Sequence, residues 1–422
     1  MVSSAIPTGS EIPSTPRTGI QQAPSQSSGT APLVTLIRGG EIYTPEYIGQ
    51  QDVLIAAGKI VAIGRRIPVP AGLGTVEVID AAGRLVVPGF IDCHVHLAGA
   101  GGEGGWKTRT PEIGLSDLTT AGVTTVVGCL GTDGFSRSSR TLLAKARSLE
   151  EEGVTAFVYT GSYQVPVHTI CNSIEDDMVL IDKVIGVGEI AVSDHRSSQP
   201  TVSEIAKVAA AARVAGLLTG KAGIVNIHLG DGPRMLAYLD EIASTTEIPI
   251  TQFLPTHMNR NPALFEKSIS HALRGGLVDF TTSTTQQFLA EGEVKCSRAL
   301  KILLQRGVDP SRITFSSDAQ GSLPSFDAAG RLRGLTVATC RSLFEEVRDA
   351  VREEHVDLST ALRTITANPA AHLKLSGKGV LRDGADADIV LLERDSLKID
   401  TVLAKGRVML RAGQVTVKGT FE

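Results

Sequence analysis

The sequence predicts an α/β protein, a (β/α)8 barrel of the TIM type with a small β-sandwich domain formed by both ends of the chain. Three observations predict this fold class. Short apolar runs alternate with helix-compatible segments through the middle of the chain, at a spacing of ~30 residues. Stretches rich in β-formers flank that middle on both sides. The 422 residues are 42% hydrophobic and 20% charged, which is ordinary for a large globular enzyme.

The order of these segments predicts the domain boundaries. Residues 1–32 are rich in Ser, Thr, Pro and Gln and have too few apolar side chains to offset the entropy of ordering, so we expect a disordered tail. Residues 33–88 hold three β-rich pieces separated by glycine turns, and residues 376–422 return to the same pattern. We expect these two parts to form the β-sandwich domain, with residues 89–375 as the barrel between them.

The barrel strands are predicted from the apolar runs that follow PGFIDCHVH, namely TTVVGCL, TAFVYTG, VIGVGEIAVSD, GIVNIHLG, ITQFLPTH, VDFTTS and RITFSSD. In a (β/α)8 barrel, functional side chains collect at the carboxyl ends of the strands. Here those ends carry potential metal ligands instead of simple turn formers. The candidate ligands are His94, His96, Glu189, His228, His257 and Asp318.

The net charge, hydrophobicity pattern and cysteine content limit the kinds of substrate and the cellular location that we expect. The formal net charge of -4 gives no electrostatic footprint for nucleic acid or an anionic membrane, so we expect a small-molecule or peptide substrate. No run approaches the ~18 consecutive apolar residues of a membrane-spanning helix, and the amino terminus does not resemble a secretion signal. The five cysteines include no C-x-x-C pair, which predicts a cytoplasmic protein without a cysteine zinc site.

His94 and His96 are two residues apart on a predicted strand, so both imidazoles project from one face. Inside a barrel, two imidazoles without partners are costly, and a metal ion or a hydrogen-bonded network must take them up. The nitrogen and oxygen ligands suit Zn²⁺, with Mn²⁺ and Co²⁺ as alternatives. Four histidines and two carboxylates exceed one tetrahedral ion, so we expect two divalent ions ~3.5–4 Å apart.

The motifs PGFIDCHVH, GGEGG, IHLGD, PTHMNR and SSDAQGS, together with the flanking β-rich ends, resemble the amidohydrolase superfamily. Within it, the chain is similar to the isoaspartyl (β-aspartyl) dipeptidase family from about Leu33 to Glu422. The resemblance implies hydrolysis of β-aspartyl dipeptides by a hydroxide that bridges two zinc ions. It also implies a homo-oligomer of high order, such as an octamer.

The resemblance implies a role for each candidate ligand. His94, His96 and Glu189 would hold one zinc ion, and Glu189 would share the second with two further histidines. Asp318 would meet the first ion and act as general base and then general acid; a carboxylate placed against the attacking water suits that role chemically. The alternative for Asp318 is a simple helix N-cap. The implied ligands of the second ion are Glu189, His228 and His257.

The resemblance also implies the residues that bind substrate. Glu103, the one charged residue of the glycine loop from Gly99 to Gly105, would bind the free α-amino group, and the glycines would let the backbone approach a ligand. Arginines suit the two substrate carboxylates, and a tyrosine suits the developing oxyanion. The alternatives are a solvated loop glutamate and a packing tyrosine. The full set is Glu103, Thr132, Tyr163, Arg196, Arg260 and Ser322.

Glu189 marks a departure from the family pattern. Isoaspartyl dipeptidases place a carboxylated lysine between the metals on the strand that leads into SDHR, and here the matching position is Glu189. Lys183 lies six residues upstream, about 20 Å away along a strand, so it cannot bridge the ions. We expect Glu189 to bridge them directly. The alternative is that Glu189 pairs with an arginine and one metal binds.

Two other functions remain open from the sequence. A cyclic-amide hydrolase, such as a dihydroorotase or hydantoinase, or an N-acyl amino acid deacylase would share the metals but have no use for Glu103. A catalytically silent scaffold would keep the fold and lose the metals, although six intact ligand positions disfavour it.

Overall fold

The structure is a computed structural model that describes residues 34–69, 72, 75–327 and 331–422. The tail predicted over residues 1–32 lies outside the described residues. The strands are β1 (Val34–Tyr43), β2 (Tyr47–Ala56), β3 (Lys59–Gly64), β4 (Val76–Asp80), β5 (Arg84–Pro88), β6 (Phe90–Val95), β7 (Val123–Gly128), β8 (Thr155–Thr160), β9 (Val184–Val192), β10 (Ile224–Leu229), β11 (Phe253–Thr256), β12 (Val278–Thr281), β13 (Ile313–Ser316), β14 (Ser322–Phe326), β15 (Leu332–Val337), β16 (Ile389–Glu393), β17 (Ile399–Ala404), β18 (Arg407–Arg411) and β19 (Gln414–Val415).

Most helices lie between the strands of the middle segment. They are α1 (Leu115–Thr119), α2 (Ser139–Glu152), α3 (Ile174–Leu180), α4 (Val202–Thr219), α5 (Ala237–Thr245), α6 (Pro262–Leu273), α7 (Gln286–Glu291), α8 (Cys296–Gln305), α9 (Arg341–Arg352), α10 (Leu358–Arg363) and α11 (Ala367–His372). The sequence fixes several helix starts locally. The Thr201 side chain accepts a hydrogen bond from the Glu204 backbone N–H, and the Glu204 carboxylate accepts one in return from the backbone N–H of Thr201. None of the described helices combines the length and apolar character needed to cross a membrane.

The middle segment forms a curled parallel sheet. Strands β6 to β11 pair in parallel in chain order, and β12 pairs in parallel with β13. Backbone hydrogen bonds continue the ring: Met258 N–H donates to Asp279 O at 3.3 Å, and Asp318 N–H donates to His94 O at 3.1 Å. The strands are apolar and buried because helices cover their outer faces. This curled sheet fits the TIM barrel that the sequence predicts.

Both ends of the chain join one sheet beside the barrel. Among the described residues it has nine strands in the order β19-β18-β17-β16-β5-β1-β2-β3, with β4 paired to β1. The amino-terminal and carboxyl-terminal parts meet where β5 pairs antiparallel with β16, for example Val87 with Val390. Alternating side chains such as Ile37, Val53 and Leu391 form a separate apolar core.

One element was not predicted from the sequence. After β13 the chain forms an antiparallel hairpin of β14 and β15, in which Ser322 pairs with Val337. Strand β14 begins at Ser322, one of the predicted substrate-binding residues. The hairpin therefore follows a barrel strand directly, at the carboxyl end of the sheet where the candidate ligands lie.

Candidate metal centre and substrate site

The six candidate ligands lie on, or just after, five strands of the barrel. His94 is on β6 and His96 follows it, while Glu189 is on β9 and His228 on β10. His257 follows β11, and Asp318 lies two residues beyond the end of β13. The parallel arrangement brings all six side chains to one end of the barrel, where five are almost fully buried and the Asp318 side chain is 20% exposed.

Glu189 lies at the centre of this cluster. Its Oε2 is 3.3 Å from His94 Nε2, 3.2 Å from His228 Nδ1 and 3.7 Å from His257 Nε2. Its other oxygen, Oε1, is 3.5 Å from His96 Nε2. One carboxylate therefore contacts histidines of both predicted ligand groups, which is the arrangement that a bridging ligand requires.

Asp318 completes the side of the cluster formed by β6. Its Oδ1 lies 3.0 Å from His96 Nε2 and 3.6 Å from His94 Nε2. Burial acts to raise the pKa of Asp318, but the contact with His96 and the charges of the neighbouring histidines outweigh it and lower the pKa to about 2. The carboxyl group is therefore ionised and able to accept a proton.

A β-bulge directs Glu189 into the cluster. The pairing of β9 with β10 passes from Val187 and Val225 to Ile190 and Ile227, so β9 has one extra residue. A Cβ at Gly188 would lie 2.8 Å from Asn226 O, so only glycine allows this close approach of the two strands. Lys183 lies just before β9, where its Nζ pairs with Glu150 at 2.5 Å, so it does not reach the ligands.

Opposing effects act on the pKa of Glu189. Burial acts to raise it, but the charge of His94 and the contacts with His228 and His257 outweigh burial and hold the pKa well below its usual value. Burial, followed by repulsion from His228, lowers the pKa of His257 to about 3. At neutral pH Glu189 is thus an ionised carboxylate and His257 a neutral imidazole, the protonation states in which these groups bind metals. Burial acts to lower the pKa of His94, but its contacts with Cys129 and Glu189 outweigh burial and raise that pKa well above its usual value.

The donor set fits a metal ion. His94 Nε2 and Glu189 Oε1 are buried and make no hydrogen bond to any residue that the structure describes. Buried polar atoms without partners are costly, and a cation between them would remove that cost. The described residues include two groups of potential ligands, and within each group all ligand atoms lie within 4.8 Å of one another. One group is His94, His96, Cys129 and Glu189, and the other is Glu189, His228 and His257.

Cys129 was missed by the sequence analysis, which expected nitrogen and oxygen ligands only. It follows β7 in TTVVGCL, at a strand end like the other ligands. Its Sγ lies 3.7 Å from His96 Nδ1 and 3.6 Å from Val95 O. The absence of a C-x-x-C pair excludes a site built on cysteine pairs, but it carries no information about a single thiol.

Three of the six predicted substrate residues are in direct contact with one another. Glu103, Thr132 and Arg196 are in contact: Thr132 Oγ1 donates to Glu103 Oε1 at 3.0 Å, and Arg196 Nη1 lies 3.3 Å from the same oxygen. Arg260 makes a different contact, with its Nη1 3.8 Å from Asp231 Oδ2. Ser322 lies beside the glycine loop, because a Cβ at Gly101 would be 3.3 Å from Ser322 Cβ.

Tyr163 joins the substrate residues to the ligand cluster. Its hydroxyl oxygen lies 2.8 Å from His228 Nδ1, and its ring lies 5.4 Å from the guanidinium carbon of Arg196. Burial, followed by the negative charge of Glu189, raises the pKa of Tyr163 well above its usual value. The phenol therefore stays protonated and can donate a hydrogen bond.

Two glycines of the loop are also required by the fold itself. At Gly99 and Gly101 φ is +76° and +71°. A Cβ at these positions would lie 2.4 Å from Thr110 O and 2.6 Å from Thr108 O. These glycines let the loop fold tightly back on residues 108–110, which holds Glu103 at the outer end of the loop.

Similarity to known proteins identifies the family of this chain. The sequence model of the amidohydrolase family matches residues 85–415. The β-aspartyl dipeptidase of Fervidobacterium islandicum AW-1, solved in complex with a β-Asp-Leu dipeptide, is 45% identical with a TM-score of 0.86, covering 92% of this chain and 98% of that one. A D-hydantoinase structure has the same fold, with 19% identity and a TM-score of 0.62 over 92% of this chain and 97% of that one.

A curated relative is more distant. The adenine deaminase of Paracoccus denitrificans is 25% identical over 411 residues, which cover 93% of this chain. The match spans 60% of the deaminase, so this chain corresponds to only part of that protein. The family match and the dipeptidase similarity agree with the cluster of ligands at the barrel end. The chain therefore belongs to the amidohydrolase family, as a metal-dependent hydrolase similar over nearly its whole described length to a β-aspartyl dipeptidase.

Proposed function

We propose that this chain hydrolyses β-aspartyl (isoaspartyl) dipeptides with the help of two divalent metal ions. The observation that carries the proposal is the position of Glu103 and Arg196, which present a negative and a positive charge in contact with each other beside the ligand cluster. A β-aspartyl dipeptide has one ammonium and two carboxylates, so its binding site needs charges of both signs. The 45% identity to a dipeptidase crystallised with β-Asp-Leu supports the same substrate class.

The metal ions would be held by residues that fit them. His94, His96, Glu189 and Asp318 would bind one ion, and Glu189, His228 and His257 the other, with Zn²⁺ the best match to imidazole and carboxylate donors. When bound, such ions supply Lewis acidity, which polarises a carbonyl and makes a water molecule acidic. Cys129 is placed to be a further ligand or to orient His96.

The substrate would be held by its charged groups. Glu103, exposed at the outer end of the glycine loop, would bind the ammonium, and Thr132 would fix the orientation of that carboxylate through their 3.0 Å hydrogen bond. Arg196 and Arg260 would bind the two substrate carboxylates, because guanidinium groups match carboxylates in shape and charge. Ser322 would donate a further hydrogen bond from the start of β14.

Asp318 and Tyr163 would carry the proton and charge changes of the reaction. Asp318 would take the proton of the attacking water as the C–O bond forms, and deliver it to the departing amine as the C–N bond breaks. Tyr163, kept protonated by burial, would donate a hydrogen bond to the carbonyl oxygen as negative charge develops there. Both side chains contact histidines of the ligand cluster, which supports their roles at the reacting bond.

The substrate class can be tested with a small panel. We expect the purified protein to cleave β-Asp-Leu and not α-Asp-Leu, dihydroorotate, a hydantoin or N-acetyl amino acids. Turnover of the ring compounds or the N-acetyl compounds alone would support the alternative amidohydrolase activities. Absence of both turnover and bound metal would support a silent scaffold.

The wider organisation of the protein is part of the same proposal. The nine-stranded sheet would form a β-sandwich domain from residues 33–88 and 376–422, with residues 89–375 as the barrel. We also propose that the enzyme is cytoplasmic, because its five cysteines include no C-x-x-C pair, and that it assembles as a homo-oligomer such as an octamer, as its resemblance to isoaspartyl dipeptidases implies. Light scattering on the purified chain tests the assembly.

A further inference from the structure

In each of the four histidines of the cluster, one ring nitrogen faces the other candidate ligands. The second ring nitrogen contacts a residue on the outside of the cluster, its outer partner. Outer partners of this kind fix the tautomer and the orientation of a ligand histidine. The four contacts are His94 Nδ1 to Asn226 Oδ1 at 3.0 Å, His96 Nδ1 to Cys129 Sγ at 3.7 Å, His257 Nδ1 to Thr281 Oγ1 at 2.6 Å, and His228 Nε2 to Asp194 Oδ2 at 3.0 Å. Of these four partners, Asp194 is the one that carries a negative charge.

Asp194 also holds Arg196. Its Oδ1 accepts from Arg196 Nε at 2.9 Å and from the Arg196 backbone N–H at 2.7 Å, and its Oδ2 accepts from Nη2 at 2.7 Å. This is a bidentate pair, the strongest and most directional contact between an arginine and a carboxylate. Asp194 Oδ2 therefore contacts both the guanidinium of Arg196 and the imidazole of His228.

The contacts continue in both directions from this carboxylate. Beyond Arg196 they reach Glu103, 3.3 Å from Nη1. Beyond His228 they reach Glu189, 3.2 Å from Nδ1. Asp194 is thus the link between residues that we assign to substrate binding and residues that we assign to metal binding.

The backbone around Asp194 is fixed by its neighbours. The Gly232 N–H donates to Ser193 O at 2.7 Å, and Ser193 Oγ donates to Met235 O at 2.9 Å. A Cβ at Gly230 would lie 2.5 Å from Asp194 Cβ, so the segment after β10 packs closely against Asp194. The Asp194 side chain is 5% exposed, so solvent has little access to this carboxylate.

We propose that Asp194 is a positioning residue that orients His228 for metal binding and Arg196 for substrate binding at the same time. With His228 Nε2 donating to the Asp194 carboxylate, the lone pair of Nδ1, which lies 2.8 Å from the Tyr163 hydroxyl and 3.2 Å from Glu189 Oε2, is left for a metal ion. The same carboxylate holds the guanidinium of Arg196 against Glu103. The substrate half of this inference rests on the proposed function, whereas the metal half does not.

The test compares three variants with two readouts. Asp194→Asn removes the charge at nearly constant volume, Thr281→Val removes the outer partner of a different histidine, and Arg196→Gln removes the arginine but leaves Asp194 on His228. Each variant is dialysed against a weak chelator, and the metal retained per chain is measured by elemental analysis. KM and kcat are then measured with β-Asp-Leu at saturating metal.

We expect Asp194→Asn to lose metal affinity by about 10- to 100-fold and also to raise KM. Thr281→Val should lose metal affinity with KM unchanged, and Arg196→Gln should raise KM with metal retained. Metal retention or a KM equal to that of the unsubstituted protein in Asp194→Asn would overturn the inference. If Asp194→Asn does not fold, Asp194→Glu takes its place, with smaller losses of both kinds expected and the same criterion.

Failure of this inference differs from failure of the proposed function. If the unsubstituted protein does not cleave β-Asp-Leu, the proposed function is wrong. The metal retained by the variants still tests whether Asp194 orients His228.

Discussion

Glu103 is the residue on which the proposed substrate class most depends. It contacts Thr132 and Arg196 but none of the four histidines proposed as metal ligands by any hydrogen bond or ion pair among the described residues. Glu103→Gln removes the charge and keeps the volume, so we expect full metal content and a fall in kcat/KM of about 10- to 150-fold, equivalent to ~1.5–3 kcal/mol for a charged hydrogen bond. Steady-state kinetics with β-Asp-Leu and elemental analysis measure the two quantities.

A matched control for this variant is Glu112→Gln. The Glu112 side chain is 52% exposed and lies 3.6 Å from Lys145, away from the proposed site. It should leave kcat/KM unchanged. If Glu103→Gln has no more effect than this control, Glu103 does not bind the substrate ammonium.

Glu189 is the residue on which the proposed two-metal centre depends. Because its two oxygens contact histidines of both ligand groups, Glu189→Ala should reduce the metal content to one ion per chain or fewer. Elemental analysis after dialysis against Zn²⁺ at a fixed free concentration measures the occupancy. Two fully occupied ions in this variant would show that another group forms the bridge.

The sequence predicted which residues lie together at this end of the barrel but not what holds them. His94, His96, Glu189, His228 and His257 could be proposed because each follows or ends an apolar run. Cys129 also follows an apolar run and could have been proposed in the same way. Asp194 and Thr281 could not, because their contacts with the histidines join different strands, and such distances depend on the closed sheet. Asn226 had a usable signal, since it lies two residues before His228 and therefore on the same face of β10.

At the scale of single elements, the bulge in β9 is the feature that the centre requires. Gly188→Ala would place a Cβ 2.8 Å from Asn226 O at a φ of +149°, so β9 and β10 must separate or the bulge must shift. We expect a loss of more than ~2 kcal/mol in the free energy of unfolding together with reduced metal retention. Urea denaturation of the metal-free protein and elemental analysis measure the two effects.

Gly220→Ala is the matched control for the bulge. Gly220 ends α4 at a φ of +70°, and a Cβ there would meet no atom within 4 Å. The strain of a left-handed alanine alone costs about 1 kcal/mol, and metal retention should stay unchanged. Equal effects of the two substitutions on metal retention would show that the bulge does not position Glu189.

The elements that the sequence predicted correctly are those with a strong local pattern. The apolar runs from PGFIDCHVH to RITFSSD all form strands of the curled sheet, because buried parallel strands need continuous apolar sequence. The hairpin of β14 and β15 was not predicted. Its antiparallel pairing lies outside the alternation of strand and helix on which the prediction depended.

At the scale of the whole molecule, Lys378 joins the barrel to the nine-stranded sheet. Its Nζ donates to Thr155 Oγ1 on β8 at 2.7 Å and contacts Asp388 Oδ2, just before β16, at 2.6 Å. The Lys378 side chain is 5% exposed, so Lys378→Met would leave a buried carboxylate without its cation. We expect a loss of about 3–5 kcal/mol in the free energy of unfolding, measured by urea denaturation.

Lys59→Met is the control for that substitution. Lys59 pairs with Asp386, which Lys378 also contacts, but its side chain is 54% exposed. An exposed ion pair contributes little, so the loss should stay below about 1 kcal/mol. A loss as large as that of Lys378→Met would assign the effect to the shared Asp386 instead of the buried pair.

The sequence also predicted that both ends of the chain are β-rich, and the structure places their strands in one sheet. The pairing of β5 with β16 could not be predicted, since about 300 residues separate them and no local pattern specifies which strands of the two ends meet.

The central claim is that two metal ions, bridged by the native Glu189 side chain, support hydrolysis of β-aspartyl dipeptides. Titration of metal-free protein with Zn²⁺ in bicarbonate-free buffer, with β-Asp-Leu cleavage as the readout, tests it most directly. A native carboxylate needs no CO₂, so we expect activity to rise to its maximum at two equivalents per chain and to be unchanged by added bicarbonate. Activity that is complete at one equivalent, that requires bicarbonate, or that is absent at two equivalents would contradict the claim.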